Sequence, residues 1–174
     1  MSTTAPSLHA KWLMVTVSLA LFCVQVDYFA VNLALPRMAV EFGCAVTDLQ
    51  WVISIYMLTL GAFMVPAGRL ADIFGRKRIL MAGVGLFGLA SLMCAMAPSI
   101  ALLVAARGVQ GLGAAMIFPA SVSVITNAFP PAQSGRMIGV AYGIAGLGNA
   151  AGPLIGGLLT QTVGWRWIFA LNIP

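Results

Sequence analysis

Asp27 and Arg107 are the two side chains whose chemistry is hardest to place: each is a charge set inside a run of apolar residues long enough to cross a bilayer. A central Asp or Arg costs about 2.5 to 3.5 kcal/mol on insertion scales, so such groups face a bundle interior or an aqueous cavity and pair with one another or with a substrate. Asp27 stands eight residues before Leu35, near the end of its run, and Arg107 seven residues after Ile100, near the start of its own. At 1.5 Å per residue both sit roughly 10 to 12 Å below the same surface, which puts the two helices along one shared cavity. Gln110, one turn beyond Arg107, extends that polar face. A buried carboxyl beside an arginine has its ionised form favoured by the charge and opposed by desolvation, so a proton or a bound cation can tip the balance. Two readings stay open: a functional carboxylate that couples a proton to a substrate, and a static ion pair that fixes packing.

A second group of charges is concentrated in residues 68–78. This stretch holds five of the thirteen charged side chains and lies between two apolar runs, where it reads as a turn in water or headgroups. Asp72 and Arg76 are four apart, a spacing suited to a helical ion pair, and a carboxylate can also hold a neighbouring helix N-terminus. The turn is either a latch or a solvated segment that only sets topology.

Glycine supplies a third pattern. Gly148, Gly152 and Gly156 recur at four-residue steps and form one smooth stripe, with Gly157 beside them and Pro153 removing a backbone donor. This helix can pack tightly and bend at the same place, as ordinary packing or as a gate. Gly83, Gly85 and Gly88 fit a dinucleotide-binding spacing, but that pattern needs a preceding strand and a water-accessible helix start. Inside a membrane helix they read as small residues that let neighbours approach.

Other chemistries lack their parts. Cys23, Cys44 and Cys94 show no pairing or metal-ligand spacing, and the single histidine, His9, is in the N-terminal tail. No metal motif and no Ser/His/Asp constellation is present, so the sequence reads as neither an enzyme nor a metalloprotein.

These residues need long apolar helices to position them. The chain is 61% hydrophobic and 7% charged, with a mean hydropathy of +1.00, against about 25% charged in soluble domains. Five spans are expected, at 12–36, 49–68, 79–97, 100–126 and 137–163, with the start of a sixth at Trp167 and Ile168 that breaks off within the helix. The expected fold is all-α and integral to the membrane, with residues 1–11 a polar tail and 12–174 one helical bundle. Lys11, Arg69, Arg76, Lys77, Arg78 and Arg136 fall on one side and only Arg37 and Arg166 on the other, which puts the N-terminus in the cytoplasm. Trp51, Trp165 and Trp167 would form an aromatic belt at the outer interface, and residues 37–48 an outer turn. The net charge of +5 flanks membrane-length segments rather than covering one face of a polar domain, which argues against nucleic acid as a partner.

The same residues resemble a family. Gly68, Asp72, Gly75, Arg76 and Lys77 stand where the signature loop of the major facilitator superfamily has them; Arg107-Gly108-Val109-Gln110-Gly111 resembles its helix-four motif, and residues 148–157 its antiporter motif in helix five. Asp27-Tyr28-Phe29-Ala30-Val31-Asn32-Leu33-Ala34-Leu35-Pro36 and Gly164-Trp165-Arg166-Trp167-Ile168-Phe169 are similar to the fourteen-helix drug:proton antiporters, although Phe29 replaces a hydroxyl residue usual there. The resemblance implies the N-terminal bundle of a proton-driven exporter of lipophilic cations in the cell membrane. Asp27, Arg107 and Gln110 would handle protons or substrate. Gly68, Asp72, Gly75, Arg76 and Lys77 would form the cytoplasmic latch, and Gly148, Gly152, Pro153, Gly156 and Gly157 the antiport hinge. The energy source would be the proton gradient, with no cofactor, and the partners would be lipid, protons, a small-molecule cargo and a C-terminal bundle absent from this chain. Two alternatives remain: a membrane fragment that transports nothing alone, and an importer of sugars or organic acids.

Overall fold

The computed structural model describes residues 8–173. Among them are five long helices: α1 (Leu8–Phe42), α2 (Gln50–Phe74), α3 (Arg76–Ala95), α4 (Ile100–Ala128) and α5 (Pro131–Thr162), followed by a short α6 (Arg166–Ala170). All five are long and apolar enough to cross a membrane, matching the expected number of complete spans. A single 3-10 turn, Val46–Leu49, leads into α2. The tail expected at 1–11 lies mostly outside the described residues; its last residues, from Leu8, already belong to α1.

Three helix ends differ from the sequence expectation by six residues each: the ends of α1 and α2, and the start of α5, which begins at Pro131 rather than at 137 because a proline is accommodated in the first turn, where its missing N–H is not needed. Helix α1 runs through Pro36 to Phe42, because Met38 and Ala39 beyond the proline are buried in the core and this packing outweighs the lost backbone bond. The outer turn therefore shrinks to residues 43–49. Helix α2 likewise continues through Pro66, Arg69 and Asp72 to Phe74. The charged segment is then mostly helix, and the reversal into α3 is made by Gly75, whose φ of 100° is open to glycine and strained for other residues.

The helices approach closely at glycines. A Cβ on Gly113 of α4 would fall 2.7 Å from the backbone nitrogen of Phe87 in α3, and one on Gly111 would fall 2.5 Å from the carbonyl oxygen of Tyr56 in α2. Gly83 faces the same α3/α4 seam, but a Cβ on Gly85 would meet nothing within 4 Å, so the Gly83, Gly85, Gly88 set does not act as one packing face. Two apolar clusters fill the bundle. One gathers Val17, Leu21, Val24, Ile117 and Ile125; the other gathers Val31, Met38, Leu49, Leu103 and Phe169. Asp27 falls on α1 between them.

Candidate functional site

Asp27, Arg107 and Gln110 come together, and all three side chains are sealed from solvent. Arg107 Nη1 donates to Asp27 Oδ2 at 2.5 Å and to Gln110 Oε1 at 2.6 Å, while Gln110 Nε2 donates to Asp27 Oδ1 at 3.0 Å. The depth matching made from α1 and α4 alone is thus met by a direct ion pair. Burying two charges requires such satisfaction, since an unpaired ion in the interior costs several kcal/mol.

The surrounding shell was not legible as a site. Ser91 of α3 accepts from Gln110 Nε2 at 2.7 Å and donates to the Phe87 carbonyl at 2.8 Å, which fixes the amide orientation. Arg107 Nε donates to the Val52 carbonyl of α2 at 3.0 Å, and its guanidinium lies 4.1 Å from the ring centroid of Tyr56, a cation–π contact. Phe169 of α6 adds a second ring at 5.7 Å. Asn172, just past α6, donates from Nδ2 to Asp27 Oδ1 at 2.9 Å. The centre therefore draws on α1, α2, α3, α4 and the α6 segment. Three of its buried polar atoms have no partner among the described residues: Arg107 Nη2, the Tyr56 hydroxyl and Asn172 Oδ1.

The remaining residues singled out in the sequence form two separate regions. Around the α2/α3 reversal, Arg76 Nη2 bonds Asp72 Oδ1 at 3.2 Å, as the four-residue spacing predicted, and Arg76 Nη1 reaches the Ser123 carbonyl of α4 at 3.5 Å. Asp72 and Lys77 are exposed. Gly68 lies on α2 in ordinary contact with Pro119 of α4. On α5 the stripe packs on α1: Cβ atoms on Gly148, Gly152 and Gly156 would fall 2.9 Å from Phe22 O, 2.7 Å from Phe29 Cβ and 2.6 Å from Ala30 Cα. Gly157 is off the stripe and open, and Pro153 sits within the continuous helix. Gln25 Nε2 donates to Asn149 Oδ1 at 2.7 Å and is the polar tie across this seam.

One expected belt residue is elsewhere. Trp51 and Trp167 are exposed, but Trp165 is buried between Phe42 and Phe169, with its Nε1 donating to Glu41 at 2.6 Å. The adjoining Arg166 pairs with the same carboxylate, so α6 is tied to the end of α1.

A bundle of membrane-length helices around a buried acid–guanidinium centre defines a polytopic membrane protein. Residues 17–174 match the family model described as Major Facilitator Superfamily, and the chain belongs to that family, whose members are transporters rather than enzymes. It is 43% identical over 162 residues to "Multidrug resistance protein Stp" of Mycobacterium tuberculosis, covering 92% of this chain and 30% of that protein. It is 33% identical over 165 residues to "Riboflavin transporter RibZ" of Clostridioides difficile, covering 94% of this chain and 36% of that one. The chain thus spans about a third of the length of these curated relatives. In fold it is similar to a crystal structure of a bacterial homolog of the human lysosomal transporter Spinster, inward-facing and unoccupied, with a TM-score of 0.79, 20% identity, and coverage of 95% of this chain and 37% of that one.

Proposed function

We propose that this chain is the N-terminal bundle of a proton-coupled exporter of lipophilic cationic compounds. The observation that carries the reading is the sealed centre of Asp27, Arg107 and Gln110, a carboxylate held within the helix bundle by one cation and neutral donors. When Asp27 is ionised the pair is neutral overall; when it takes a proton, Arg107 loses its counter-charge and its bonds to Val52 and Gln110 must carry it alone. A change of protonation is therefore a change of force on α2 and α4. The likeness to a multidrug resistance protein supports drug efflux.

In this reading the helices from α1 onward rock against a second bundle, the N-terminal end is cytoplasmic and the protein spans the cell membrane. Gly68, Asp72, Gly75, Arg76 and Lys77 latch the cytoplasmic end, and the hinge lies within α5 at Gly148, Gly152, Pro153, Gly156 and Gly157. The test is export of a cationic dye from cells carrying the full-length protein, wild type against Asp27→Asn. Asp27→Asn is expected to reach the membrane with the lower stability that stranding Arg107 brings, and to lose export when compared at equal amounts of folded protein. Export at the native rate with the native pH dependence overturns the coupling role. The riboflavin transporter among the relatives favours a second reading, in which the same bundle carries a planar nutrient; uptake of such a nutrient without dye export would select it.

A further inference from the structure

Three neutral or cationic partners surround the Asp27 carboxylate, and they differ in what they can do once it takes a proton. Arg107 only donates. Gln110 is fully committed: its Oε1 accepts from Arg107 and its Nε2 serves both Asp27 and Ser91. Asn172 alone of the three is half used, because Nδ2 donates to Asp27 Oδ1 while Oδ1 of the same amide is buried with no partner among the described residues. A buried acceptor left unmade costs about 1 to 3 kcal/mol. Such a cost persists where another state of the site uses the atom.

We infer that Asn172 is a two-way partner of Asp27, donating to the carboxylate when it is ionised and, after its amide turns over, accepting from the carboxylic acid when it is protonated. This rests on the proposed role of Asp27 in proton coupling. The exchange is geometrically simple. Amide nitrogen and oxygen are nearly the same size, so rotation about the last side-chain bond puts oxygen where nitrogen now stands, 2.9 Å from Asp27 Oδ1, within the ordinary length of an O–H···O bond. Asn172 also lines a groove of about 670 Å³ between α1 and α3. In the step itself a hydronium ion from the aqueous phase gives up a proton, leaving water, and that proton forms one O–H bond on Asp27 and cancels its charge; the Asn172 amide gives up an N–H···O bond and accepts an O–H···O bond. No partner of the acid is then left facing it with the wrong polarity. Asn172 is a positioning residue in this scheme.

The groups that face Asp27 leave this role to Asn172. Arg107 from α4 is its ion partner. Tyr56 from α2, Cys94 from α3 and Cys23 on α1 itself are the other ionisable groups that feel its charge. On α5, Asn149 is engaged with Gln25, and Arg136 lies in the exposed second turn; on α6, Arg166 is engaged with Glu41.

Infrared difference spectra, acid minus neutral, of the reconstituted full-length protein test the inference. Wild type is expected to show an Asp27 carboxyl band, removed by Asp27→Asn, together with a side-chain amide band pair that vanishes in both Asp27→Asn and Asn172→Leu. In Asn172→Leu the carboxyl band should also move to higher frequency, because its O–H has lost an acceptor. Asn172→Thr is the second variant, keeping one donor and one acceptor; it should lose the amide pair while its carboxyl band stays near the wild-type position. An amide pair and carboxyl band unchanged in both Asn172 variants overturn the inference and leave the role of Asp27 standing. A carboxyl band that persists in Asp27→Asn overturns both.

Discussion

Replacing Arg107 with methionine removes the Nη1 bonds to Asp27 and Gln110 and the Nε bond to Val52, and leaves a carboxylate sealed from water with no counter-charge. Breaking a buried pair from one side costs about 3 to 5 kcal/mol, so Arg107→Met should shift the unfolding equilibrium by a factor of a few hundred or more, at about 1.4 kcal/mol per tenfold change. Asp27→Asn, which strands the guanidinium instead, should cost a similar amount. The double variant carries no buried charge, and the amide introduced at position 27 can still accept from Gln110 or Asn172. It should therefore be more stable than the sum of the single losses by about 3 kcal/mol or more, a coupling at or above the upper end for residues in contact. Equilibrium unfolding of the full-length protein in mixed detergent micelles, followed by tryptophan fluorescence, reads all four corners of this cycle. Additive losses in the double variant would refute the claim that these two charges stabilise one another, and with it the buried centre.

Two contrasts test the other regions. Gly156→Val should block bundle assembly, since a Cβ would fall 2.6 Å from the Ala30 Cα, whereas Gly157→Ala one position on meets open space and should leave folded yield within about twofold; size-exclusion profiles of extracted protein compare them, and equal loss would place the seam wrongly. Asp72→Asn should leave thermal stability nearly unchanged, because the Asp72–Arg76 pair is solvent-exposed and such pairs contribute about 0 to 1 kcal/mol. Under the latch reading it should still slow dye turnover with little loss of dye binding; equal loss of both would sink that reading.

Asp27 and Arg107 were legible in the sequence because a charge in an apolar run has few places to go, and counting residues from each helix end gave matching depths. Gln110 followed by turn geometry. Tyr56, Ser91 and Asn172 were not legible, since hydroxyl and amide side chains are common in membrane helices. What selects these three is the rotation of α2 and α3 and the path after α6, which emerge only from packing. The five spans could be read from hydropathy, but their ends could not. Pro36 and the charged residues 69–72 looked like stops, and burial of Met38, Ala39 and Ala71 carries both helices past them. Trp165 was misplaced for a related reason: an indole at a membrane boundary usually anchors in headgroups, but here the ring packs between Phe42 and Phe169 and its N–H finds Glu41, an exposed carboxylate at the end of α1.

The buried centre takes side chains or carbonyls from α1, α2, α3, α4 and the α6 segment, and among the described residues none from α5. Helix α5 instead meets α1 at Gly148, Gly152 and Gly156, largely through main-chain and Cβ atoms. Flexible side chains between two helices act as a cushion, because rotamers can turn to absorb a small shift. Bare backbone against backbone has no such slack. A tilt or screw of α1 of a few tenths of an ångström is therefore handed to α5 nearly undiminished, and four of the bundle's long helices are knotted at one point while the fifth rides on the first like a follower on a cam.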